Sequence, residues 1–252
     1  MLKNLQEHCS DLALIINPLG FSEAHDWLMI ASGIESISFS WNRYDKTGQK
    51  QYCRPSYEYD ISKGEITLKY INQLTIFNYI WGAFENLTSK IFTKSKISKI
   101  GKVNCVIKLT EDKGFFPVYQ YEKIKTSFYL NFRNVVQSKL LMYEKKDFSN
   151  ELKIVYELRN KFAHGNMEFP EDIEYSASFR NSIHLINLME ISSRVVLCYM
   201  QSITSHSCEK QLVYSFFDNL FENIEMQDYG DDLFFSDYIL SRIHLKNYAY
   251  PY

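Results

Sequence analysis

The chain has 252 residues, of which 46% are hydrophobic and 23% are charged, with only nine glycines and five prolines. This composition is typical of a folded protein with long regular elements, and it excludes a disordered chain. The formal net charge of −2 gives no bulk basicity for holding nucleic acid, so any RNA contact must come from a local cluster or from a site shared between subunits.

Residues 1–64 are predicted to form an N-terminal extension of mixed structure. Apolar residues recur at helical spacing over residues 2–16 and again over residues 21–30, which indicates two short helices. Apolar residues then alternate with serines over residues 37–41, and residues 52–59 follow a turn signal. This pattern predicts a β-hairpin.

Residues 65–204 are predicted to form four long helices that pack as an up-and-down bundle. Each helix shows the apolar periodicity of a helix with one buried face. The third follows a start signal, D-F-S-N, and is followed by a glycine. The four predicted helices cover residues 65–91, 118–143, 151–163 and 177–204.

Shorter elements are expected between and after these helices. A strand at residues 103–109 is predicted in the connection between the first two helices. Residues 205–252 are predicted to be a C-terminal region packed on the bundle, with helices at residues 207–226 and 231–245. The chain as a whole is therefore expected to be mainly α.

The third helix ends on the sequence R-N-K-F-A-H, residues 159–164, and Gly165 follows it. Arg159 and His164 are separated by about 140° of rotation and about 7.5 Å of rise on a straight helix, so they do not share one stripe. Gly165 can take the left-handed conformation that ends a helix, and a change in the last turn can then reorient the imidazole of His164. Leu158 and Phe162 are spaced i and i+4, which predicts a core stripe that leaves the polar residues at an exposed end.

These residue types suit RNA cleavage by attack of a 2′-hydroxyl on the adjacent phosphate. His164 can give and take protons near neutral pH. Arg159 carries a permanent, planar charge that matches phosphate oxygens, and Asn160 can position either residue or contact the RNA. No step requires a metal or another cofactor. The alternative interpretation is that these side chains only suit the electrostatics of a helix C-terminus.

The segment resembles the signature of the HEPN superfamily, in which an Arg and a polar follower precede a His at the end of a late helix in a four-helix bundle. Arg159 matches the Arg, Asn160 the polar follower and His164 the His. Gly165 fits an R-N-x-x-x-H-G subgroup common among phage-defence proteins. The resemblance implies a mainly α, four-helix HEPN-type bundle with extra N-terminal mixed elements and C-terminal helices, acting as a metal-independent endoribonuclease.

The resemblance also implies partners. HEPN ribonucleases form homodimers in which two motif-bearing helix ends build one composite site for RNA, as two-fold symmetry allows. Many are toxins or abortive-infection effectors, so an antitoxin or regulatory partner is expected as well. One toxin subgroup, paired with a nucleotidyltransferase antitoxin, has Tyr two residues after the His. This chain has Asn166 there, which disfavours a partner of that kind.

Further residues are candidates for substrate binding. Lys161 lies within the motif, and Glu85 interrupts an apolar neighbourhood on the first long helix. Glu85 is predicted to face and orient Arg159, with a solvent-facing carboxylate as the alternative. Two basic clusters are candidate RNA contacts, a solvated surface being the alternative. They are Lys94, Lys96, Lys99 and Lys102, and Lys123, Lys125 and Arg133.

Two other functions stay open from the sequence. A non-catalytic HEPN module that binds RNA or a partner protein would share the fold and the motif. A structural helical interaction protein would carry the motif by coincidence.

The cysteines and the N-terminus indicate the compartment. Five cysteines are scattered without C-x-x-C or zinc-type spacing, which predicts neither a disulfide framework nor a zinc site. The N-terminal apolar run carries Glu7 and Asp11 and ends at Pro18, which fits neither a signal peptide nor a spanning helix. We therefore expect a cytoplasmic protein without a membrane segment.

Overall fold

A computed structural model describes residues 1–44, 54–112, 118–137, 150–166, 179–207, 239–241 and 243–246 of the chain. Within these ranges the regular structure is helical, and the one β-type pairing is an isolated antiparallel bridge between Leu2 and Leu245. The mainly α fold predicted from the sequence is therefore confirmed.

Helices account for most of the residues in the described ranges. In chain order they are α1 (Leu5–Ile16), α2 (Ser22–Gly33), α3 (Trp41–Tyr44), α4 (Arg54–Ile91), α5 (Lys94–Ile100), α6 (Lys102–Asp112), α7 (Tyr121–Gln137), α8 (Glu151–Ala163) and α9 (Phe179–Ser207). The four helices predicted for the bundle correspond to α4, α7, α8 and α9. Helix α9 packs along α4 and α7 and also contacts α1, α6 and α8, so it lies at the centre of the fold.

The N-terminal prediction is right for two helices and wrong for the hairpin. α1 and α2 form where the apolar spacing indicated them. Residues 34–40 have no regular structure, α3 follows, and residues 54–59 belong to α4, while the predicted turn and residues 52–53 lie outside the described residues. The short alternation over residues 37–41 resembled a strand, but Pro55 falls in the first turn of α4, where proline is tolerated. The long helix therefore begins at Arg54 rather than at Glu65.

The strand predicted at residues 103–109 is also wrong, because α6 occupies this segment. Val103, Val106, Ile107 and Thr110 are all buried, and their spacing is that of one helix face. The β-branched side chains suggested a strand, but burial on this face determines the structure.

Several predicted elements lie partly or wholly outside the described residues. The second long helix is observed as α7, and residues 138–149 are not described. The predicted helix at 207–226 is described only at its first residue. Of the one at 231–245, only residues 239–241 and 243–245 are described.

One hydrophobic core runs through the described helices. Buried residues of α1 and α2 belong to the same cluster as those of α4, α7, α8 and α9. α1 and α2 pack on each other, α1 contacts α9, and α2 contacts α4. One stretch of α9, Ser182–Ser207, is long and apolar enough to cross a membrane by length and composition, but 72% of its apolar window is buried within the protein.

A buried polar cluster links α1, α9 and the C-terminal segment. His8 Nε2 donates to Gln201 Oε1 at 2.9 Å, and Gln201 Nε2 donates to the carbonyl of Ile239 at 2.6 Å and to His244 Nδ1 at 3.2 Å. His244 Nε2 donates to the carbonyl of Tyr119 at 2.6 Å. His244 must be neutral and protonated on Nε2, because its Nδ1 atom accepts from Gln201. His8 needs a proton on Nε2 to donate to Gln201, and its buried Nδ1 atom has no hydrogen-bond partner among the described residues.

The environment keeps both histidines neutral. Burial lowers the pKa of His8 well below 6.5, and the nearby His244 and Arg194 lower it further. Burial also lowers the pKa of His244 to about 4, assisted by Lys3 and Arg194 and opposed by the hydrogen bond to Tyr119. The unfolded chain therefore binds protons between pH 6.5 and about 4 that the folded chain does not.

Acidification should destabilise the protein through this cluster. The protein keeps its full stability above pH 6.5 and loses stability as the pH falls below it. His244 alone should lower the free energy of unfolding by about 2–3 kcal/mol between pH 7.5 and 4.5. Urea unfolding at the two pH values measures it. His244→Gln, which can still donate to Tyr119 but does not titrate, should show a smaller acid loss, whereas His25→Gln, outside the cluster, should match the parent. An equal acid loss in all three proteins would contradict this account.

Candidate functional site at the end of α8

Backbone hydrogen bonds define both ends of α8. Asn150 caps the N-terminus, where its side chain accepts a hydrogen bond from the N–H of Lys153 at 3.2 Å. His164 is the C-cap, and Gly165 follows with a φ of +66°. The N–H of Asn166 donates to the carbonyl of Lys161 at 2.8 Å, and the N–H of Gly165 to that of Phe162 at 3.1 Å. These two bonds form a Schellman motif, which favours glycine at position 165.

Apolar packing then fixes the orientation of the last turns. Leu158 is buried, and the ring of Phe162 packs against Tyr70 and Phe77 of α4, with ring centroids 6.2 and 6.4 Å away. The predicted stripe of Leu158 and Phe162 is therefore confirmed. Because these residues occupy one side of the helix, Arg159 and Asn160 lie on another side.

Glu85 of α4 is the centre of the polar contacts. Its Oε1 atom accepts a hydrogen bond from Trp81 Nε1 at 2.7 Å and lies 3.9 Å from Arg159 Nη2, while its Oε2 atom lies 3.8 Å from Lys102 Nζ. The Arg159 and Glu85 side chains are 35% and 38% exposed, so solvent screens their pairing. Arg159 Nη1 also donates to Asn160 Oδ1 at 3.4 Å. Glu85 thus faces Arg159, as the sequence predicts.

Two grooves meet at Glu85. The first has a volume of about 460 Å³ and lies between α4, the α5–α6 junction and α8, with Lys153 and Tyr156 on its α8 side. The second has a volume of about 560 Å³ and lies between α2 and α4, with Arg159 on its edge. Trp81, Glu85 and Lys102 line both grooves.

The remaining predicted site residues lie outside these two grooves. His164 is exposed at the end of α8, and Asn160 and Lys161 are half-buried. None of the three lines either groove in the described part of the chain. The structure therefore brings Arg159, Asn160 and Glu85 together and leaves His164 on the surface one turn further along.

Three residues of this region were not singled out as site residues by the sequence. Trp81 lies one helical turn before Glu85, so the i, i+4 spacing could have indicated it. Tyr156 stacks on Trp81 across the interface between α4 and α8, with centroids 6.1 Å apart and planes at 21°. Trp27 of α2 lies over Gly82, where a Cβ atom would come within 2.8 Å of its ring. Only the tertiary packing reveals the last two contacts.

Comparisons with protein family models, with curated proteins and with solved structures find no match for this chain. Within the described ranges, no group of three His, Cys, Asp or Glu side chains is arranged to hold a metal ion. The resemblance to HEPN proteins therefore rests on the sequence motif of residues 159–165 and on its place at the end of a predicted helix.

Two substitutions at Glu85 should distinguish the contribution of its ion pairs to stability from that of its hydrogen bond to Trp81. Glu85→Gln keeps an acceptor for the Trp81 N–H and loses only the screened ion pairs, so we expect the free energy of unfolding to change by less than about 1 kcal/mol. Glu85→Ala also removes the acceptor of a buried indole, which should cost about 1–2 kcal/mol more. Urea unfolding of both variants measures the difference. Equal losses would show that the hydrogen bond to Trp81 does not matter for stability.

Proposed function

We propose that this protein is a metal-independent endoribonuclease of the HEPN type, acting as a toxin or anti-phage abortive-infection effector. The observation that supports the proposal is the end of α8. There Arg159 lines a groove and pairs with the carboxylate of Glu85, and the exposed imidazole of His164 follows five residues later. Cleavage by a neighbouring 2′-hydroxyl needs a base, an acid and a positive charge that binds the phosphate.

The proposed reaction transfers the phosphate within the RNA strand. One imidazole of His164 accepts the proton of the 2′-hydroxyl as its oxygen forms a bond to phosphorus. The bond between phosphorus and the 5′-oxygen breaks, and a second imidazole protonates that oxygen. The products are a 2′,3′-cyclic phosphate and a free 5′-hydroxyl. Arg159 binds the non-bridging oxygens, where negative charge accumulates.

The two imidazoles and the required charge favour a homodimer. One chain supplies a single His164, whereas the reaction benefits from both a base and an acid. A two-fold axis near the end of α8 would bring a second His164 and a second Arg159 to one phosphate. The local positive charge would also double on a chain whose net charge is −2.

The neighbouring residues take supporting roles in this proposal. Glu85 orients Arg159 through the 3.9 Å pairing, which is long and partly exposed and so leaves the guanidinium free to turn towards a phosphate. Asn160 is within hydrogen-bonding distance of Arg159 and can restrict the same side chain. Lys161 adds a positive charge beside the motif. An antitoxin or regulatory partner would act by covering this helix end.

Incubation of the full-length protein with total RNA in the presence of a chelator tests the activity. We expect cleavage by the parent and at least about a 100-fold loss in His164→Ala, which is the typical contribution of a general acid or base. Asn166→Ala, two residues further along the exposed end of α8, is the matched control and should retain activity. Cleavage that requires Mg²⁺, or full activity of His164→Ala, would reject the proposal, and RNA binding without any cleavage would favour the non-catalytic module.

Mixing of inactive subunits tests the shared site. Arg159→Ala subunits retain His164, and His164→Ala subunits retain Arg159, so a heterodimer has one of each at the same site. We expect the mixture to cleave RNA faster than either variant alone, as measured by product formation at equal total protein. Full activity of the parent at dilutions where it is monomeric by light scattering would refute a site made by two chains.

A further inference from the structure

The segment from Asn86 to Thr110 is strongly basic on a chain that is slightly acidic. It contains six lysines and no aspartate or glutamate. Two of these lysines are paired, Lys90 with Glu23 and Lys102 with Glu85. The three lysines of α5 are exposed and have no carboxylate within 4.0 Å among the described residues, and they are Lys94, Lys96 and Lys99. Lys96 Nζ lies 5.2 Å from the centroid of the Phe92 ring, and no carboxylate of the described residues neutralises the positive charge of α5.

α5 leads directly into the first groove. Its last residue, Ile100, lines that groove together with Gly101 and Lys102, and Lys153 of α8 lies on the opposite side. Glu85 and Glu157 are the carboxylates in the lining, and Glu85 already faces Lys102 and Arg159. The α5 surface and the groove lining, taken together, thus carry a positive charge, with five lysines against two glutamates.

The same groove exposes an aromatic ring. Tyr156 is 40% exposed, while the Trp81 ring beneath it is only 3% exposed. The two rings are stacked at an interplanar angle of 21°, so Trp81 supports Tyr156 from within the core. A firmly supported aromatic ring beside lysines is the combination on which unpaired nucleobases stack.

We propose that α5 and the first groove form a binding path for single-stranded RNA, in which Lys94, Lys96 and Lys99 neutralise phosphates and a base stacks against Tyr156. The inference rests on the proposed ribonuclease function, since Arg159 pairs with Glu85, which lines this groove. Tyr156 and Arg159 are three residues apart on α8, so a strand bound along the path would extend towards Arg159. Single-stranded RNA is favoured over a duplex because stacking on Tyr156 needs an unpaired base.

Binding to full-length protein carrying His164→Ala tests the path without cleavage of the strand. The probe is a fluorescein-labelled, unstructured oligonucleotide of adenosine and uridine, and anisotropy gives the affinity at several salt concentrations. The triple variant Lys94→Gln, Lys96→Gln, Lys99→Gln should bind about tenfold more weakly at low salt. It should also lower the slope of log affinity against log salt by about 2, since each lost phosphate contact on a single strand contributes about 0.7.

A second triple variant removes the same number of charges elsewhere. Arg43, Arg54 and Lys69 are exposed on α3 and α4, and their replacement by Gln should leave affinity and slope near those of the parent. Tyr156→Leu should weaken binding at least about fivefold with an unchanged salt slope, whereas Tyr156→Phe should bind like the parent. Circular dichroism checks that every variant is folded.

Three results would overturn the inference. They are equal effects of the two triple variants, unchanged affinity in Tyr156→Leu, and tighter binding to an RNA duplex than to the single strand. Preference for an acidic protein ligand over RNA would equally overturn it. If the parent cleaves no RNA but binds single strands through Lys94, Lys96, Lys99 and Tyr156, the proposed activity fails while the binding path stands.

Discussion

The contact of Phe162 with Tyr70 and Phe77 determines how the end of α8 is presented. These rings hold one side of the last two turns against α4, so the polar residues of the same turns must lie elsewhere. At the other end of α8, Glu151 is buried and its carboxylate lies 3.3 Å from Lys125 Nζ, which ties the helix to α7. With both ends held, Arg159 has a defined position relative to Glu85, and Gly165 ends the helix so that His164 is exposed.

Charge is distributed unevenly over a chain that is nearly neutral in total. Glu85 receives contacts from Trp81, Lys102 and Arg159, so one carboxylate organises residues of α4, α6 and α8. The lysines of α5 lie on the helix that precedes Lys102, and no carboxylate of the described residues pairs with them. The described residues of α5 and of the first groove therefore carry a local excess of positive charge, which the net charge alone does not reveal.

The long helices were predictable because burial of one helix face requires apolar residues at helical spacing, and this spacing is visible in the sequence. The way in which α8 ends and packs was predictable, since Gly165, Leu158 and Phe162 each have one local role, but the position of His164 outside both grooves was not. The hairpin at 37–59 and the strand at 103–109 were wrong, because short runs of apolar and β-branched residues fit both structures and tertiary burial decides between them. The Glu85–Arg159 pairing was predictable from an isolated charge on an apolar helix, but the stacking of Tyr156 on Trp81 depends on how two helices pack.

The chemistry of the RNA ends tests the central claim most directly, because attack by a 2′-hydroxyl produces a different 3′ end from hydrolysis by water. Mass spectrometry of fragments cut by the full-length protein should show 2′,3′-cyclic phosphates and 5′-hydroxyls. The same RNA with a single 2′-deoxy substitution at the cut nucleotide should remain intact at that position. Fragments that end in 3′-hydroxyls and 5′-phosphates, or cleavage at the deoxy position, would contradict the account.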